Sequence, residues 1–206
     1  MKGLAGGMNL PAHIVDQILE YSTRYSDSHT GHWDCDAIRQ IAFDPFILEV
    51  TKQYLGTEPV VHSSYVYWSN PHKQAAPYPE KFHYDVADFK SLCVYFYITD
   101  VDEDSGAHVA VEGTHRRKNI FQLMNPFMPD DTAATKYGSR VRVFTGPRGT
   151  GFFEDQVCLH KRLIPKRRRL ALIVNYTLQR QAEDFDTAVK QNIATKTPAP
   201  AAVATV

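Results

Sequence analysis

From about residue 59 the chain is cut into short segments rich in Val, Tyr, Phe and Ile. They are VVHSSYVYWS (60–69), SLCVYFYIT (91–99), HVAVEG (108–113), SRVRVFTG (139–146), GTGFFEDQVCLH (149–160) and RLALIVNYTL (169–178), with turn residues between them. β-Branched and aromatic side chains suit a pleated, half-buried surface, and runs this short cannot be helices of ordinary length. The pattern predicts a mainly β core of at least seven strands, closed as a sandwich or jelly roll. Two helical regions precede it. Residues 11–27 carry Ile14, Ile18, Leu19 and then Tyr21 or Tyr25 at near-helical spacing, with Pro11 suited to a first turn. Residues 36–55 read as a second helical region, interrupted at Pro45 and closed by Gly56. The sequence is expected to form one domain over 1–186. Residues 187–206, rich in Ala, Pro and Thr, have too little to bury and are expected to be disordered.

Charge and cysteine content narrow the function classes. Lys+Arg and Asp+Glu balance at 23 each, so nothing suggests nucleic acid or an anionic membrane as partner. Cys35, Cys93 and Cys158 are odd in number and without framework spacing, which predicts reduced thiols in a cytoplasmic protein. No apolar run approaches a membrane span, and the start, MKGLAGGMNL, makes a poor signal peptide.

The chemistry centres on His83 and Asp85, in KFHYDV. Residues i and i+2 of a strand point to one face, so the two side chains can approach a single metal ion. A surface His-x-Asp pair is common by chance, and a third ligand is needed to give the pair meaning. The other histidines are 13, 29, 32, 62, 72, 108, 115 and 160, and His160 falls at the end of a strand far along the chain. Two histidines and a carboxylate are the ligand set of non-haem Fe(II) oxygenases, which leave coordination positions open. A structural zinc site would use several cysteines, and no Cys-x-x-Cys is present. Such iron enzymes usually also take a dicarboxylic 2-oxoacid, whose far carboxylate needs a buried cation, best a guanidinium. In KRRRLALIVNY, Arg169, Ala171 and Ile173 share one strand face and Arg168, Leu170 and Leu172 the other. One arginine must therefore lie beside core residues, where an unpaired charge is costly. For Lys166, Arg167 and one further arginine a solvated basic turn is the simpler reading.

The His83/Asp85 pair, ITDVDEDSGAHVAVEGTHR, GTGFFEDQVCLHK and RRRLALIVNY together resemble the phytanoyl-CoA dioxygenase family of Fe(II)/2-oxoglutarate oxygenases, over roughly residues 36–180. The resemblance implies a double-stranded β-helix, with His83, Asp85 and His160 as iron ligands. By the same resemblance Arg169 matches the arginine that holds 2-oxoglutarate, and Tyr95 an aromatic position lining the cosubstrate pocket. Iron, 2-oxoglutarate and dioxygen are the cofactors implied. The reaction implied is hydroxylation of a small metabolite with release of succinate and CO2. The sequence departs from the family at EGTH (112–115, usually PGSH) and at Ser105-Gly106 (usually Asn-Gly), both in turns. The segment before the first helix is also short for the family, which implies a compact variant or an open pocket. Related halogenases replace the carboxylate ligand with a small residue, so Asp85 argues against halogenation. The rival readings are a zinc hydrolase with the same ligands and a non-catalytic β-sandwich binding module with a relic site. Asp155 is a candidate for orienting His160. Tyr65, Tyr67 and Trp68 are candidates for the pocket wall or simply for core. His115 is expected to bond backbone in its turn, and Cys93 and Cys158 to be buried apolar thiols.

Overall fold

The computed structural model describes residues 3–24, 29–30, 33–71, 80–85, 88–116, 126–179 and 204–205. Among the described residues, twelve strands form two antiparallel sheets. They are β1 (Leu4–Asn9), β2 (His29–Thr30), β3 (Val60–Ser69), β4 (Phe82–His83), β5 (Ser91–Tyr97), β6 (His108–Val111), β7 (Phe127–Met128), β8 (Val141–Phe144), β9 (Thr150–Glu154), β10 (His160–Arg162), β11 (Arg169–Thr177) and β12 (Ala204–Thr205). The larger sheet runs β12-β1-β9-β5-β11-β3-β2 and the smaller β7-β4-β10-β6-β8. This is the expected mainly β jelly roll.

Alternation along the central strands decides what each face meets. On β5, Leu92, Val94 and Phe96 point away from the small sheet; so do Leu170, Leu172, Val174 and Tyr176 on β11. They pack against helices α1 (Ala12–Ser22), α2 (Asp36–Ala42) and α3 (Pro45–Leu55) in the largest apolar cluster. The opposite face carries Cys93, Tyr95, Tyr97, Phe152 and Ala171 into the space between the sheets. β5 is therefore buried along its whole length, which is why it reads as a continuous apolar run. A further helix, α4 (Asp130–Tyr137), packs Ala133 and Tyr137 against a cluster that includes Phe82, Val109 and Val111 of the small sheet.

The helix breaks follow local chemistry. The expected region 36–55 divides at Asp44-Pro45. Asp44 accepts backbone N–H bonds from Phe46 (2.9 Å) and Ile47 (3.3 Å), with Pro45 in the first turn, and Gly56 closes α3 at φ 84°. Such a buried N-cap is worth about 0.5–2 kcal/mol. Asp44→Ala should lower stability by that amount, read as a shift of the urea midpoint, and Asp44→Asn should restore most of it.

One expectation is corrected here, and two elements appear that no periodicity announced. Pro11 caps α1 from extended backbone (ψ 143°), and the described helix ends at Ser22, with residues 25–28 outside the described set. The glycine-rich start forms β1, paired with β9 through a register shift between Gly6 and Met8; glycine supplies no side-chain pattern, so the strand left no periodicity to read. The first turn of α4 holds Asp130 and Asp131, favourable to the helix dipole. Of the segment expected as a disordered tail, Ala204–Thr205 is described, as a strand bridging to Met8 and Asn9 of β1. The rest lies outside the described residues.

Candidate metal centre

GTGFFEDQVCLH does not run as one strand. It breaks at a turn in which Asp155 accepts from the Val157 N–H (2.9 Å), and the Cys158 N–H donates back to the Asp155 carbonyl (2.7 Å). The chain thereby leaves the large sheet at Glu154 and enters the small one at His160. His160 opens β10 instead of ending a strand. It sits directly opposite His83 of β4 in an antiparallel pair, and residues so placed share a face. β4 itself ends at His83. Asp85 lies beyond it, held by its own N–H to the Gln156 carbonyl (3.1 Å).

The result is a three-residue cluster. Nε2 of His83 is 3.8 Å from Asp85 Oδ1, and Nε2 of His160 is 3.5 Å from Asp85 Oδ2. One donor atom from each of the three lies within 4.8 Å of the others. Both imidazoles are oriented in the same way. Nδ1 of His83 donates to the Lys81 carbonyl (2.6 Å), and Nδ1 of His160 to the Cys158 carbonyl (2.9 Å). Each bond leaves the Nε2 lone pair facing the cluster, the arrangement usual for metal-binding histidines. Both rings are buried, while the Asp85 side chain is 38% exposed. The two histidines titrate apart. Burial, aided by His160, lowers His83. Burial also opposes charge on His160, but the Glu154 and Asp85 carboxylates outweigh it and raise it to about 9. Rings 4.3 Å apart cannot both hold a proton cheaply; one divalent cation suits both, with Asp85 as the anionic third donor.

Glu154 is one residue that sequence reasoning missed. It is fully buried, with Oε2 2.7 Å from His108 Nε2 and Oε1 3.9 Å from His160 Nδ1. Asp155, the expected partner, instead accepts from Tyr54 (2.5 Å). A signal existed: Glu154 alternates with Phe152 along β9, a carboxylate in register with a buried aromatic. His108 stacks on His160 at 5.4 Å, and its own pKa is lowered by burial despite Glu154. His115 faces the Cys158 thiol, with Nδ1 3.4 Å from Sγ.

On the opposite sheet stands Arg169, 1% exposed. Its Nη2 donates to Tyr67 Oη (3.1 Å) and its Nε to Ser69 Oγ (3.4 Å), while Nη1 has no partner. Among the described residues no carboxylate pairs with it. Its neighbours in sequence are accounted for: Arg167 pairs with Asp102, and Arg168 stacks 3.6 Å over Trp68. Arg162, two residues after His160, is also interior, but Glu80 meets its charge at 2.8 Å. Its Nη1 donates to the same Ser69 hydroxyl at 2.8 Å. Tyr95 lies between the two groups of residues, stacked on Phe152 at 4.9 Å. Of the three aromatics on β3, Tyr67 bonds Arg169 and Tyr65 lines a cavity, whereas the Trp68 indole turns outward to the Ser22 carbonyl (3.3 Å).

This architecture has solved counterparts. One is the epimerase SnoN in complex with Fe3+, alpha-ketoglutarate and nogalamycin RO, at TM-score 0.64 and 17% identity over 85% of this chain and 78% of that one. The chain has the fold of iron- and 2-oxoglutarate-binding proteins. A second counterpart is EctD from S. alaskensis with bound Fe (TM-score 0.62, 15% identity, 87% and 78% of the two chains). A third is EvdO2 from Micromonospora carbonacea var. aurantiaca complexed with 2-oxoglutarate (TM-score 0.63, 12% identity, 89% and 90%). No protein-family model matches the sequence, and no curated protein matches it.

Proposed function

We propose that the protein is an Fe(II)- and 2-oxoglutarate-dependent oxygenase of the phytanoyl-CoA dioxygenase type, hydroxylating a small metabolite in the cytoplasm. The observation that carries this is Arg169, a buried guanidinium with one unpaired N–H edge, facing the sheet that presents His83, Asp85 and His160. An isolated buried charge is expensive, and a carboxylate able to accept a bidentate bond offsets that cost. The residues present fit the group: two neutral-capable imidazoles and a carboxylate for the iron, and a fork with a tyrosine and a serine beside it for a dicarboxylate. Bound there, iron would couple oxidative decarboxylation of 2-oxoglutarate to oxidation of a substrate C–H bond. The chain's own part is to hold and to exclude. His83, Asp85 and His160 would hold the iron. Arg169, flanked by Tyr67 and Ser69, would hold the far carboxylate of the cosubstrate. Tyr95, Phe152 and Ala171 keep water from the space between them. The three unpaired, buried thiols fit a reducing compartment, and among the described residues no helix is long and apolar enough to cross a membrane.

The test is anaerobic. Fe(II) added with 2-oxoglutarate should give a weak visible charge-transfer band, which Zn(II) or 2-oxoglutarate alone does not. A protein that binds zinc tightly and never yields the band is a hydrolase or a binding module instead.

A further inference from the structure

β11 is a ruler across the interior. Arg169, Ala171, Ile173 and Asn175 stand on one face, and the six steps from first to last span roughly 20 Å. The face is cationic at one end, apolar in the middle and polar at the other. The polar end opens on a cavity of about 370 Å³ lined by His62, Tyr65, Asp85, Tyr95, Gln156, Ile173 and Asn175. It therefore abuts the exposed side of the Asp85 carboxylate, away from Arg169.

Its polar lining is specific in kind. Asn175 is 4% exposed; its Nδ2 donates to Ser63 Oγ (3.0 Å), and its Oδ1 has no partner. A buried carbonyl oxygen left bare costs free energy, and it asks for a donor. His62 reaches the cavity by a backbone irregularity. Asn175 pairs with Ser63 and Tyr176 with Val61, so His62 is the extra residue of a bulge on β3. Bulges beside functional sites re-aim side chains in this way. Gln156 and Tyr65 add an amide and a phenol. Among the described lining residues there is no lysine or arginine, and the sole carboxylate is Asp85.

From this we infer that the cavity beside Asp85 binds a neutral, hydroxyl-bearing small molecule, and that Asn175 accepts one of its hydroxyl protons. A hydroxyl both donates to Oδ1 and accepts from the amide, imidazole and phenol groups around it. A phosphate or coenzyme A group finds no cation there, and a free ammonium finds no carboxylate that is not already a candidate metal donor. The inference deepens the oxygenase reading by naming the class of its primary substrate, and it rests on that reading only for the consequence of binding.

The experiment separates the two. Saturation-transfer NMR on the metal-free full chain compares methyl β-glucopyranoside and sucrose with glucose 6-phosphate, glucosamine and acetyl-CoA. The neutral sugars should bind and the charged probes should not. Asn175→Leu should weaken sugar binding about tenfold, the scale of one hydrogen bond whose buried partner is lost, with the 2-oxoglutarate dissociation constant within about twofold of wild type. Gln156→Met, in a turn instead of the central sheet, gives a second arm should Asn175→Leu fold poorly, and it too should weaken sugar binding. Preference for a charged probe, no binding of either neutral sugar, or sugar binding unmoved by both substitutions overturns the inference. Sugar binding that depends on these residues in a protein giving no Fe(II)/2-oxoglutarate band upholds it and overturns the oxygenase reading.

Discussion

Arg169→Ala is expected to weaken anaerobic binding of 2-oxoglutarate to the Fe(II) protein by about 30- to 4,000-fold, the equivalent of roughly 2–5 kcal/mol for a desolvated, charge-assisted pair. The size follows from burial: at 1% exposure no water shares the guanidinium's field. Arg169→Lys should recover little, because an ammonium cannot reproduce a planar fork held between Tyr67 and Ser69. Arg167→Ala and Arg168→Ala should change the constant by less than about threefold, since one arginine pairs with Asp102 at the surface and the other lies on Trp68. The same residue makes a second, opposite expectation. Without its anion Arg169 is an uncompensated buried charge, so Arg169→Met should leave the ligand-free protein as stable as wild type or more so. Thermal unfolding with and without 2-oxoglutarate reads both effects. A ligand-free protein badly destabilised by Arg169→Met would make the arginine part of the fold, not a binding group.

Asp85→Ala should reduce Fe(II)-dependent succinate formation by more than about 100-fold. Loss of a group that merely orients a metal ligand costs 10- to 100-fold, and loss of the ligand itself should exceed that. Asp85 is the cleanest of the three to change. Its side chain is 38% exposed and lies outside β4, so its removal leaves no cavity. Far-UV circular dichroism should be unchanged, and the loss of unfolding free energy should be smaller than for either histidine variant. His83→Ala and His160→Ala should lose activity equally, with more cost to stability because both rings are buried between paired strands. The measurements are bound iron per chain and succinate released. An Asp85→Ala protein that holds iron and turns over normally would remove the carboxylate from the ligand set.

The division between what was legible in the residues and what was not has a physical basis. Alternation of period two, β-branched and aromatic content, and the Asp44-Pro45 and Gly56 signals are properties of a few adjacent residues. The sequence by itself therefore determined the mainly β class, the break between α2 and α3, the shared face of Arg169, Ala171 and Ile173, and the candidacy of His83 and Asp85. β1 and α4 escaped because glycine carries no pattern and because α4 shows too little apolar periodicity. Glu154, His108 and Arg162 escaped for a different reason. A buried charge is defined by what lies across the fold, and Glu154 becomes meaningful only when antiparallel pairing brings β9, β6 and β10 together. Tertiary structure alone decided that His160 opens β10 opposite His83, because the turn at Asp155 moves the chain from one sheet to the other. It also decided that the buried Arg169 has no carboxylate partner among the described residues while Arg162, partly buried, is met by Glu80, since charge pairing is a matter of distance in space and not along the chain.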